Sequence, residues 1–306
     1  MKSELEIRFW GVRGSMPVCS PDVVGYGGST SCVEIIADNG THIVLDAGTG
    51  IQALGMHYLR NAMPAHCAVF ITHAHWDHIQ GLPFFTPAFV PGHQLSFFGC
   101  NQGALSFRDV LREQMRSPYF PVELESWQAD IEIKSIAETT IDINGLTVTS
   151  RYVEHPGMTL GFRVGYKGKS VVYLPDNEPF ARFDPAKVFT EISLGPGEPD
   201  MERICLLDQK KNFFNFIRSA DVLIHDAQYT PMEYATKVGW GHCSFSTAVR
   251  AAIYGQVKHL VLFHHDPLRT DAQIRDMLQS CAAMVRASGA GLTVSAASQT
   301  APALQL

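Results

Sequence analysis

The run Phe70-Ile71-Thr72-His73-Ala74-His75-Trp76-Asp77-His78 ends an apolar stretch in three histidines and an aspartate within six positions. Cys67 to Ile71 has the pattern of a short buried strand, so these side chains fall on the loop past its carboxyl end, where open α/β folds keep their sites. Neutral imidazole nitrogens and a carboxylate suit zinc, manganese or iron(II). His73 and His75, two apart, can point together, while Asp77 and His78 turn toward a second position. A solvated histidine-rich loop, or core histidines satisfied by carbonyls, would not gather an aspartate so tightly.

A chain of 306 residues, 46% hydrophobic and 18% charged, is long enough for a sizeable globular core. Its net charge of −6 leaves no diffuse basic field to collect long nucleic acid, and a small or mid-sized substrate is expected instead. The seven cysteines are scattered without paired spacing and read as reduced thiols. A charged amino terminus and the lack of any run near 18 apolar residues predict a cytoplasmic protein with no membrane partner.

Leu5 to Trp10 alternates as an edge strand into Gly11-Val12-Arg13-Gly14-Ser15-Met16-Pro17, and a second glycine loop, Gly25 to Thr30, precedes a strand at Cys32 to Ile36. Either loop could lie beside the site or simply turn the chain. Asn39-Gly40 predicts a hairpin to a strand ending at Asp46, followed by a helix to about Arg60. Asp46 is placed either to hold a ligating histidine or to cap the amides of Gly48 to Gly50. The proline- and phenylalanine-rich run Leu82 to Pro91 is a candidate cleft lining, core element or homodimer contact. Helices are expected over 103–116, 208–220, 245–254 and 271–288. Short strands with Asn144-Gly145 and Lys167-Gly168 turns predict a second sheet between 130 and 174, an irregular, flexible excursion is expected near 179–203, and a polar, alanine-rich tail closes the chain.

Two further strands end in residues of ligand type. Asp221 to Ile224 runs into His225-Asp226, and His259 to Phe263 into His264-His265-Asp266. His155 sits on a loop between strands. Three uses of one device are hard to assign to packing, and together they raise His155, Asp226 and His264 to candidate ligands.

The pattern His73, His75, Asp77, His78, followed by His155, Asp226 and His264 in that order, resembles the metallo-β-lactamase-fold hydrolases over residues 5 to 268. The resemblance implies an α/β, four-layer αββα sandwich of two packed mixed sheets, as a single domain over 1–306. It implies two divalent metal ions, zinc first and manganese or iron as alternatives: His73, His75 and His155 on one, Asp77, His78 and His264 on the other, with Asp226 bridging. His265 competes with His264 as the last ligand. Phe9 to Pro17 is similar to the amino-terminal glycine motif of the ribonuclease Z-like and cyclic-nucleotide phosphodiesterase-like branch. Gly241-His242-Cys243-Ser244 is similar to the motif that ribonuclease Z sets against the scissile phosphate, although that motif reads His-Ser-Thr and Cys243 intervenes here.

The expected function is therefore phosphodiester hydrolysis by a hydroxide that two cations make available, on a small substrate such as a cyclic nucleotide, with Asp77 and His242 catalytic. His242 would protonate the leaving alkoxide or hold the phosphate. A lactone or thioester hydrolase on the same metals, and a metal-bearing sensor with little turnover, are the competing readings.

Overall fold

The structure, a computed structural model, describes residues 3–61, 66–183, 188–189 and 201–306, with the side chains of 202 and 203 left out. The excursion expected near 179–203 falls mostly outside the described residues.

The first sheet takes β1 (Leu5–Gly11), β2 (Cys32–Ala37), β3 (His42–Leu45), β4 (His66–Phe70), β5 (Gln94–Gly99) and β6 (Asp130–Ser135). The second takes β7 (Thr140–Ile143), β8 (Leu146–Tyr152), β9 (Leu160–Tyr166), β10 (Lys169–Leu174), β11 (Val222–Asp226), β12 (His259–Phe263) and β13 (Thr293–Ala296). β14 (Leu304–Gln305) returns to the edge of the first, giving the orders β14-β1-β2-β3-β4-β5-β6 and β13-β12-β11-β10-β9-β8-β7. In each sheet one half is antiparallel and the other parallel. The hairpin turns carry the left-handed backbone they need at Asn144-Gly145 and Lys167-Gly168.

Strand alternation decides the packing. Ile7, Ile35, Leu45 and Phe70 of the first sheet meet Phe162, Val164, Tyr173 and Phe263 of the second in one fully buried layer. On the outside of the first sheet lie α1 (Gly50–Arg60), α2 (Trp76–Ile79) and α3 (Phe107–Gln114). Outside the second lie α4 (Met201–Ile217), α6 (Phe245–Tyr254) and α7 (Asp271–Ser288), with the single turn α5 (Pro231–Tyr234) following β11 in sequence. The result is the expected αββα sandwich. Among the described residues no helix is long and apolar enough to cross a membrane.

Three local expectations shift. Gly103 has positive φ and the Ser106 hydroxyl accepts the Asp109 N–H, so α3 starts at Phe107 and not at 103. α4 begins at Met201 and ends before Ser219, whose φ of 51° breaks the helix. Leu82, Phe85 and Ala88 are fully buried against α1, so the proline-rich run is mainly core, with Phe84 and Pro91 exposed.

Candidate metal centre

The parallel strands set the site. Leu174, His225 and Leu262 are level across β10, β11 and β12. Residues just beyond them, with those following β3 and β4, therefore meet at one rim between the sheets.

Asp176 stands two places past Leu174, level with His264 two places past Leu262. Its Oδ2 is 3.6 Å from Nε2 of His73 and 3.6 Å from Nε2 of His155. Its Oδ1 is 3.0 Å from Nε2 of His78 and 3.2 Å from Nε2 of His264. His75 joins the first group, its Nδ1 being 3.1 Å from Nε2 of His155. Asp77 joins the second, with Oδ2 3.0 Å from Nε2 of His264 and 3.4 Å from Nε2 of His78. Thus His73, His75, His155 and Asp176 converge, as do Asp77, His78, Asp176 and His264.

Asp226, expected as the joining carboxylate, lies outside both of these groups, and the carboxylate common to them is Asp176. Oδ1 of Asp226 accepts the Gln228 N–H at 3.0 Å and the Cys243 N–H at 3.3 Å, while Oδ2 lies 2.6 Å from Nδ1 of His242. Asp226 completes a third cluster with His242 and His264 at the rim. Asp176 escaped notice because Pro175 looked like the start of the irregular stretch. The signal was present, since Val171 to Leu174 followed by Pro175-Asp176 repeats the device of apolar strand and ligand-type residue.

His264 and His265 are also separated by geometry. His264 has a left-handed backbone (φ 59°), a conformation that persists only where the surroundings fix it. Its Nδ1 is held 3.1 Å from Oε1 of Gln228, and Nε2 faces the site. His265 turns away and donates Nε2–H to the Ala297 carbonyl at 3.0 Å, and burial pushes its pKa down to about 3.

The first glycine loop lies on the site. A Cβ at Gly14 would stand 2.2 Å from Nδ1 of His264, and the Ser15 N–H donates to Oδ2 of Asp77 at 2.6 Å. The fully buried Arg13 fixes that loop by donating to the carbonyls of Gly27 and Arg269. Asp46 holds a histidine: its Oδ2 is 2.7 Å from Nδ1 of His78 and accepts the Tyr173 hydroxyl at 2.9 Å. The same carboxylate caps the amide of Thr72 at 2.7 Å and not those of Gly48 to Gly50. A carboxylate on the far nitrogen fixes which nitrogen His78 offers the centre.

The donor set fits divalent cations. Nε2 of His73, Nε2 of His78 and Oδ1 of Asp176 are buried without a hydrogen-bond partner, an arrangement costly unless something positive lies between them. Burial, then neighbouring His78, holds His73 well below the usual histidine range, and burial likewise lowers His75 and His155. These are the neutral imidazoles that ligation requires. Around His78 burial is outweighed by Asp176, Asp77 and Asp46, which push it well upward. Three carboxylates therefore favour positive charge at this spot, which a bound cation would supply.

Residues 41–190 match the family model described as the beta-lactamase superfamily domain. Ribonuclease Z of Thermoplasma acidophilum is 24% identical over 297 residues, 90% of each chain. Among solved structures, unliganded yeast PDE1 aligns with a TM-score of 0.67 at 13% identity, covering 99% of this chain and 100% of that one. A diphosphatase from the PhnP family aligns with a TM-score of 0.62 at 18% identity, over 99% and 98%. The chain has the metallo-β-lactamase fold.

Proposed function

We propose that this protein is a dinuclear metal phosphodiesterase acting on a small diester such as a cyclic nucleotide. The observation that carries the reading is Asp176, one buried carboxylate with an oxygen toward each of two histidine groups. His73, His75 and His155 would hold one cation, Asp77, His78 and His264 the other, and Asp176 both. Two such ions supply Lewis acidity toward phosphoryl oxygens and a water of lowered pKa.

The chain's own residues supply the rest. Asp77 is kept ionised because, against burial, His78 and His264 hold its carboxyl far below the ordinary range. The Ser15 amide and His264 fix its direction. His242 stands at the mouth with its side chain 12% exposed, its ring centroid 4.8 Å from that of His264 and 5.2 Å from that of His155. Asp226 occupies Nδ1, so Nε2 carries any proton that His242 passes to a departing alkoxide. The relatives named ribonuclease Z and PDE1 support a phosphodiester, and the net charge of −6 favours a small one over long RNA.

The test is elemental analysis of protein purified without chelator, followed by turnover of bis(p-nitrophenyl) phosphate, cyclic nucleotides, an RNA oligonucleotide and acyl lactones on that preparation. Turnover of the small diesters above the other two classes supports the proposal. Preference for lactones, or for RNA, overturns it.

A further inference from the structure

We propose that Glu178 is a positioning residue that sets both His155 and His242 through the backbone of Gly241. The inference rests on the metallohydrolase reading above. Glu178 is buried, two residues past Asp176. Its Oε1 accepts the Tyr234 hydroxyl at 2.8 Å and the Gly239 N–H at 2.7 Å, and its Oε2 accepts the Gly241 N–H at 2.7 Å. The carbonyl of Gly241 in turn accepts Nδ1–H of His155 at 2.8 Å. One carboxylate therefore anchors the N–H side of Gly241, whose carbonyl, across the Cα in the next peptide plane, fixes the tautomer of His155 and leaves Nε2 free to face Asp176.

The Gly241 carbonyl belongs to the peptide bond that leads into His242. Gly241 has φ of 90°, and a Cβ there would lie 2.3 Å from Nδ1 of His155, so backbone and imidazole are in direct contact. The Glu178 backbone N–H also donates to the Glu154 carbonyl at 2.7 Å, tying down the loop that carries His155. Partners one step behind a ligand commonly change metal affinity 10- to 100-fold when altered.

Glu178→Gln is the test, because an amide has one acceptor oxygen and must point its NH2 at one of these donors. Co2+ titration followed by absorbance should show one of the two sites weakened about 10- to 100-fold. Turnover of an alkyl phosphodiester should fall at least tenfold more than that of a p-nitrophenyl ester. Unchanged Co2+ affinity together with an unchanged dependence on the leaving group would overturn the proposal, whatever happens to the unfolding midpoint. If Glu178→Gln does not fold, Glu178→Asp, with both acceptors on a shorter arm, is read by the same two criteria. Wild-type protein that binds Co2+ at both sites yet cleaves no diester would overturn the phosphodiesterase reading alone, and the titration would still decide the role of Glu178.

Discussion

Oδ2 of Asp226 lies 2.6 Å from Nδ1 of His242 and couples the rim of the centre to the end of β11. Burial works against the proton on His242, yet Asp226 and then Asp176 raise its pKa to about 9. His242→Ala should therefore lower turnover of an alkyl phosphodiester about 10²- to 10⁴-fold and leave a p-nitrophenyl ester nearly unaffected. Steady-state rates on the two esters check this. Equal losses on both would remove the proton-donor role.

Gly14→Ala should weaken metal binding, because its Cβ would stand 2.2 Å from the His264 ring. The ring or the loop must shift, and the loop carries the Ser15 amide bonded to Asp77. A loss of affinity on the order of tenfold or more is expected in a competition titration against a chelating dye. Wild-type affinity would mean that the glycine loop does not set His264.

Asp46→Ala removes the partner of three buried groups, His78, the Thr72 amide and the Tyr173 hydroxyl. Breaking a buried pair in this way costs about 3 to 5 kcal/mol. Denaturant unfolding of metal-free protein should show that loss, separating the structural role of Asp46 from its effect on ligation.

The Glu233 carboxylate meets the buried guanidinium of Arg269 at 2.6 Å. Burial opposes its charge, but the bond to Arg269 and the capping of Thr230 bring its pKa to about 2. A carboxyl lowered in the folded state stabilises above its unfolded pKa and loses that contribution as pH falls toward the folded value. The stability gap between wild type and Glu233→Gln should be constant above about pH 5 and shrink between there and pH 2. A gap unchanged down to pH 2 would contradict this.

The clusters at strand ends made much of the fold and centre legible. His73 to His78 and His264 stand out because apolar strands stop abruptly at residues that rarely interrupt a core, whereas His155, on a loop, gains weight only beside them. Asp176 was hidden by its proline, and its place depends on the register of β10 with β11 and β12, which one strand's sequence does not carry. β13 and β14 were also missed. Thr293–Ala296 and Leu304–Gln305 are edge strands with little apolar pattern, recruited by the neighbours they pair with. The choice between His264 and His265 needed the left-handed backbone at His264.

The central claim is that Asp176 joins two metal positions, and metal content after exhaustive dialysis tests it most directly. Wild-type protein and Asp226→Ala should each retain two divalent cations per chain, and Asp176→Ala should retain one or none. If Asp176→Ala kept two while Asp226→Ala lost one, the joining carboxylate would be Asp226 and the account of the centre would be wrong.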